Sequence, residues 1–209
     1  MKKAVIFDMD GVLIDSETFY FNRRMEFFNS IGIEPATRKF KDFVGLSDKM
    51  IWETLVPYDE KKRIELKAGY VEYRTKNKID FNKVVNPSSQ YTMKRLKKMN
   101  IKIGIASSSE KKEILRMMAE CNLGQYVDFV ISGEECLESK PSPEIYIRAI
   151  EALGILDKDV IAVEDSTLGI ASAKAANIEV AALFQKACNL DQSQADYSIK
   201  NLKEIIELV

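Results

Sequence analysis

Two aspartates spaced by one residue, Asp8 and Asp10, stand at the end of the apolar run Val5-Ile6-Phe7, and Gly11 follows them. In extended chain, side chains two residues apart point to the same side. The spacing therefore predicts that both carboxylates leave the end of a buried strand aimed at one small volume. Two such charges repel and resist desolvation unless a cation or a shared proton compensates them. The chemistry this pair suits is metal binding or acid–base work. The plainer alternative is a strand followed by an acidic turn, because Asp and Gly are ordinary turn residues.

Composition narrows the choice. The 209 residues include no histidine, which excludes Ser-His and Cys-His catalysis, His-ligated zinc and a histidine phosphocarrier. Acid–base chemistry near neutral pH must then fall to carboxylates, lysine, tyrosine or cysteine. Thirty-one basic and 32 acidic residues leave a net charge of −1. That balance carries no electrostatic footprint for nucleic acid or an anionic membrane, and neither is expected as a partner. No apolar stretch approaches the roughly 20 residues that span a bilayer, and charges within the first ten residues argue against a signal peptide. Cys121, Cys136 and Cys188 form no paired metal spacing. Their odd number suits a reducing cytoplasm, where each reads as a small buried hydrophobe. The expected location is cytoplasmic, and the expected state a monomer or weak homodimer.

The positioning elements read as follows. Strands are expected at residues 3–7, 102–106, 127–131, 160–163 and 178–183, alternating beyond residue 85 with helical patterns. Ser109 reads as a cap for a helix with Ile114, Leu115, Met118 and Ala119 on one face. Ser142-Pro143-Glu144 opens another, showing Ile145, Ala149, Ile150 and Leu153 and ending at Gly154. A small-residue helix is expected from about residue 168 to 176. Strands alternating with helices imply parallel βαβ units in a doubly wound α/β sheet. Residues 16–85 break the alternation. They show Phe21, Met25, Phe28 and Ile31 at helical spacing, then a short helix capped by Ser47 and stopped by Pro57. A longer helix follows, capped by Asp59 and showing Ile64, Ala68, Val71 and Thr75. This is read as a helical cap inserted into a core of residues 1–15 and 86–209, with Phe19, Tyr20, Phe27, Phe28 and Trp52 as its core aromatics.

In open parallel sheets, ligands bind beyond the C-terminal ends of the strands. The first strand delivers Asp8 and Asp10 there, the second Ser107-Ser108-Ser109, and the fourth Glu164-Asp165-Ser166. Lys140-Pro141-Ser142-Pro143 follows the third, nine residues after Ile131. Each has an ordinary explanation alone; their shared placement after apolar strands predicts one pocket. An EF-hand reading of Asp8–Gly11 fails, because the third ligand position and the spacing are absent.

These residues resemble the motifs of the haloacid dehalogenase superfamily, in its branch with a helical cap after the first strand. The segment 8–17, Asp-Met-Asp-Gly-Val-Leu-Ile-Asp-Ser-Glu, is similar to the first motif; Ser107 matches the second, Lys140 the third and Glu164-Asp165 the fourth. The resemblance spans nearly the whole chain. It implies that Asp8 is the nucleophile forming an aspartyl phosphate and that Asp10 is the general acid and base. It implies Mg²⁺ held by Asp8, the Asp10 backbone carbonyl and Asp165, with Glu164 in support. Gly11, Ser107, Ser108, Ser109 and Lys140 would contact the phosphoryl group.

Asp10 and Asp165 favour phosphoryl transfer over dehalogenation, so the expected activity is a Mg²⁺-dependent phosphatase acting on a small phosphorylated metabolite, such as a sugar phosphate. The alternative is a β-phosphoglucomutase-like mutase. Two departures weigh against it: Tyr20 stands where the mutases carry a histidine, and Asp48 where they carry an arginine. A non-catalytic phospho-ligand sensor is the remaining reading. Specificity is expected in the cap, with Leu46, Ser47, Asp48 and Lys49 facing the phosphate site and Lys67 and Arg74 as further binders. Val12, Leu13 and Asn86-Pro87 are expected beside the hinge.

Overall fold

The computed structural model describes residues 1–43, 46–184 and 190–209. Six strands form one parallel sheet: β1 (Ala4–Phe7), β2 (Lys102–Ser107), β3 (Phe129–Ser132), β4 (Val160–Glu164), β5 (Glu179–Leu183) and β6 (Tyr197–Ile199). Their order is β3-β2-β1-β4-β5-β6. The chain therefore steps outward from β1 in one direction and later returns to the other side of β1. That reversal is where a doubly wound sheet opens a crevice. β1 pairs with both β2 and β4, Phe7 standing in register with Ile105 and Val163. It is buried end to end, as a strand covered on both faces must be. β6 was not expected: it is three residues long, and Tyr197 and Ser198 are exposed, so no apolar pattern marks it.

The helices that cover the sheet carry one apolar stripe each. α5 (Ser89–Lys98) buries Met93 and Leu96, and α6 (Lys111–Glu120) buries Ile114 and Met117. Leu115, expected on the buried face of α6, is exposed. Glu110, not Ser109, occupies the N-cap position of α6. α7 (Glu144–Leu153) follows Pro143 and ends at Gly154 in the left-handed conformation, φ 64°. It buries Ile145, Tyr146, Ala149 and Leu153. α8 (Thr167–Ala175) is capped by the Ser166 side chain, which accepts from the Gly169 N–H. Its small residues admit close approach to β4 and β5.

The chain divides into two compact units, Met1–Asp15 with Phe81–Val209, and Ser16–Asp80. The inserted unit ends at Asp80, short of the expected boundary at residue 85. The short helix α4 (Phe81–Val84) belongs with the sheet: Phe81 is fully buried, its N–H donates to Glu120 of α6, and its carbonyl faces the Cys121 thiol. Cys121 is buried and Cys136 half-buried, both free thiols; Cys188 lies outside the described residues.

The second unit is built from α1 (Glu17–Ser30), α2 (Asp48–Leu55) and α3 (Glu60–Lys76). Ser47 and Asp59 cap α2 and α3, accepting from the N–H groups of Met50 and Lys62. An aromatic cluster forms its core, with Phe27 packed edge-on against Phe28, Tyr70 and Tyr73, and Trp52 against Tyr70. Phe19 and Tyr20, expected in that core, are only half-buried. α3 turns a different face inward from the one its aliphatics suggest. Leu66 and Tyr70 are buried while Ile64 and Val71 are exposed, because the large rings of α1 and α2 select an aromatic partner.

Candidate active site

β1 ends at Phe7, and Asp8 is tied to the sheet by its N–H, which donates to the Val163 carbonyl at 2.9 Å. The chain then turns. Leu13 and Ile14 donate back to the Met9 carbonyl, and Gly11 to Ile14. The two aspartates are thus brought together by a tight loop rather than by strand alternation. Met9, between them, is fully buried and anchors that loop.

Lys140 reaches Asp8 from the far side of the third crossover. Its Nζ donates to Asp8 Oδ1 at 2.7 Å, to the Ala106 carbonyl at 3.0 Å and to Glu164 Oε1 at 2.6 Å. Three strand ends, β1, β2 and β4, therefore meet on one ammonium. Burial works against the charge on Lys140, but Asp8 and Glu164 outweigh it and hold its pKa well above the ordinary lysine value. Glu164 is fully buried and also accepts from the Tyr146 hydroxyl at 2.5 Å. Burial, reinforced by Glu164, keeps that phenol protonated far above its usual range. A side chain at position 169 would collide with the Glu164 carboxylate, so Gly169 on α8 is what lets Glu164 fold under the site. Tyr146 was missed from sequence. Its one signal is a hydroxyl on the otherwise apolar face of α7.

Asp165, also buried, sits beside this group. Gly11 has φ 81°, and a Cβ there would run into the Asp165 carboxylate. A left-handed backbone and a carboxylate pressed against it both demand glycine. One oxygen each from Asp8, Glu164 and Asp165 lie within 4.8 Å of one another. Burial pushes the Asp8 carboxyl up to about 8 from 3.8, with Glu164 and Asp10 adding to the push and Lys140 opposing it. Asp8 and Glu164 share the Lys140 ammonium with Asp165 beside them, and the donors are all oxygen. Such a set fits a hard divalent cation. Within it, Glu164 Oε1 is engaged by Lys140 and Tyr146.

The Asp10 carboxylate is held elsewhere: its Oδ2 accepts from the Ser109 hydroxyl at 2.7 Å. Ser109, expected as a helix cap and phosphate contact, spends its hydroxyl on Asp10. Ser107 is buried at the end of β2, its Oγ accepting from the Ser109 N–H at 3.1 Å, while Ser108 is exposed in the turn. In the second unit, Leu46 packs against the aromatic cluster, Ser47 caps α2, and Asp48 pairs with Lys67 at 2.5 Å.

The family model described as haloacid dehalogenase-like hydrolase matches residues 5–183. A phosphorylated carbohydrates phosphatase of Thermotoga maritima is 29% identical over 183 residues, covering 85% of this chain and 82% of that protein. Hexitol phosphatase B of Escherichia coli K12 is 27% identical, with 84% and 80% covered. A β-phosphoglucomutase from Clostridium difficile superposes with a TM-score of 0.78 over 98% of this chain and 93% of that one, at 21% identity.

Proposed function

Because this chain belongs to the family of haloacid dehalogenase-like hydrolases, we propose that it is a Mg²⁺-dependent phosphatase of small phosphorylated metabolites, of the sugar-phosphate class, working through an aspartyl phosphate on Asp8. The observation that carries this reading is the buried Lys140 ammonium shared between Asp8 and Glu164 beside Asp165. A surface salt bridge needs no such burial, and a structural one would be cheaper as packed hydrophobes. The carbohydrate and hexitol phosphatases among its relatives support the substrate class.

In the first step, an Asp8 carboxylate oxygen attacks phosphorus and the bond to the ester oxygen breaks. Asp10 gives its proton to that departing oxygen. In the second, water attacks the same phosphorus, Asp10 takes a proton from it, and the bond between phosphorus and Asp8 breaks to release inorganic phosphate. Lys140 stays on Asp8 throughout and offsets the charge that gathers on the phosphoryl oxygens. Ser107 and Ser108 supply hydroxyl groups at the end of β2. Mg²⁺ held by Asp8, Asp165 and the Asp10 carbonyl would supply further charge neutralisation and fix the phosphoryl group in line. Transfer of this kind depends on positioning and charge compensation more than on covalent chemistry by the protein.

Incubation of the pure protein with Mg²⁺ and a panel of hexose, hexitol and pentose phosphates tests the reading. Release of inorganic phosphate from members of the panel is the expected result. Isomerisation of a hexose phosphate without phosphate release would replace hydrolysis by mutase chemistry.

A further inference from the structure

We propose that Ser109 is a positioning residue for Asp10, the last member of a chain of hydroxyl contacts that crosses the ends of β3, β2 and β1. The proposal rests on the acid–base reading of Asp10 given above. Ser109 donates its hydroxyl to Asp10 Oδ2 at 2.7 Å across 99 residues of sequence. Both of its peptide groups are clamped: the N–H donates to Ser107 Oγ at 3.1 Å, and the carbonyl accepts from Ser132 Oγ at 2.6 Å. Ser107 and Ser132 are register partners on β2 and β3, and both are buried. A Cβ on Gly133 would lie 3.2 Å from Ser108 Cα, so the serine turn is pressed against the backbone that follows β3. Helix capping does not compete for this hydroxyl, since α6 begins after Glu110.

The clamp leaves Ser109 little freedom except the direction of its hydroxyl, and that direction is toward Asp10. Asp10 itself stands in the loop after β1, with two side-chain torsions to be fixed. In the two-step reaction the departing oxygen and the incoming water occupy the same side of phosphorus. One orientation of the Asp10 carboxyl therefore serves both proton transfers, and a carboxyl that drifts slows both. Ser109 selects that orientation by gripping one oxygen. A displacement of about 1 Å in a positioned group costs on the order of a hundredfold in rate. Losing one of the contacts that hold Asp10 should cost between about tenfold and a hundredfold.

The test uses Ser109→Ala and Ser109→Thr with Mg²⁺ and whichever ester the panel shows to be turned over. Ser109→Ala is expected to lower kcat by about 10- to 100-fold with KM unchanged, and to bind inorganic phosphate, measured by calorimetry, as the unaltered protein does. Ser109→Thr, which keeps the hydroxyl, should recover most of kcat. Unaltered kcat in Ser109→Ala overturns the proposal. So does a loss confined to KM and phosphate affinity, which would make Ser109 a phosphate contact. Failure of Ser109→Thr to recover activity, with its phosphate affinity intact, overturns it as well. Full activity of Asp10→Asn would instead remove the acid–base reading on which the proposal stands, whatever the serine variants do.

Discussion

Replacing Lys140 by methionine keeps most of the side chain's volume and removes the one charge that Asp8 and Glu164 share. At separations of 2.7 and 2.6 Å and an effective dielectric near 20, each pairing amounts to about 6 kcal/mol of Coulomb attraction. Most of that is offset in the intact protein by the cost of burying three charged groups. Deleting one member leaves the carboxylates buried and uncompensated, for a net loss of about 3–5 kcal/mol. For a chain of this size each kcal/mol moves the melting temperature by about 2–4 °C, so Lys140→Met should melt roughly 6–20 °C lower without metal. The sign with pH follows from Asp8, which burial already holds up to about 8 and which Lys140 pulls down. Without that pull the carboxyl stands higher still, and the folded variant keeps a proton that the unfolded chain releases. The gap between variant and parent must then widen as pH rises through about 8, where the parent's Asp8 releases its proton and the variant's does not. Thermal melts at about pH 6.5 and about pH 9.5 read this directly. Turnover should fall about 10²- to 10³-fold, as for loss of one group stabilising transition-state charge. A gap in melting temperature that is the same at both pH values, or an unchanged kcat, would refute the argument.

Asp8→Asn should lose several powers of ten in turnover, since an amide cannot form the phosphorylated intermediate; residual activity near that of the parent in a phosphate-release assay would exclude the covalent route. Gly11→Ala places a methyl group into the Asp165 carboxylate and strains a backbone at φ 81°, so calorimetry should show at least tenfold weaker Mg²⁺ binding, and unchanged affinity would remove Asp165 from the cation site. In the unaltered, metal-free protein, the Asp8 contribution to stability is complete below about pH 4 and is lost as pH rises through about 8, because the folded state holds the extra proton in that window. Added Mg²⁺ should therefore raise the melting temperature more at about pH 8 than at about pH 5. An equal rise at both would contradict the assignment of Asp8 as a ligand.

Much of the architecture was legible because its signals are local. Ser47, Asp59 and Gly154 mark helix ends through bonds that reach only a few residues, and β1, β2, β4 and β5 announce themselves as apolar runs. The buried face of α3 was misread because Ile64 and Val71 keep helical spacing, whereas Tyr70 is chosen by rings on other helices. The motifs pointed to Asp8, Lys140, Glu164 and Asp165, and those four are adjacent in the folded chain. What they left unreadable is division of labour. Glu164 bonds to Lys140 and Tyr146, and Ser109 to Asp10, across 18 to 99 residues of sequence. No spacing rule reaches that far, because only the register of the sheet brings those groups together.

The place of β1 in the sheet also shapes how the protein is made. A strand buried along its whole length leaves the ribosome before the rest of the sheet, and its two partners end at Ser107 and Glu164. At about 5–20 residues per second, the first strand of a nascent chain waits roughly 8–30 s for its second neighbour. During that interval Ala4–Phe7 is an adhesive segment lacking a flank, and Asp8 and Asp10 at its tip keep its end hydrated. Charges flanking an apolar strand are expected to act as a guard against clumping during synthesis, a second use for the pair proposed above as nucleophile and acid–base.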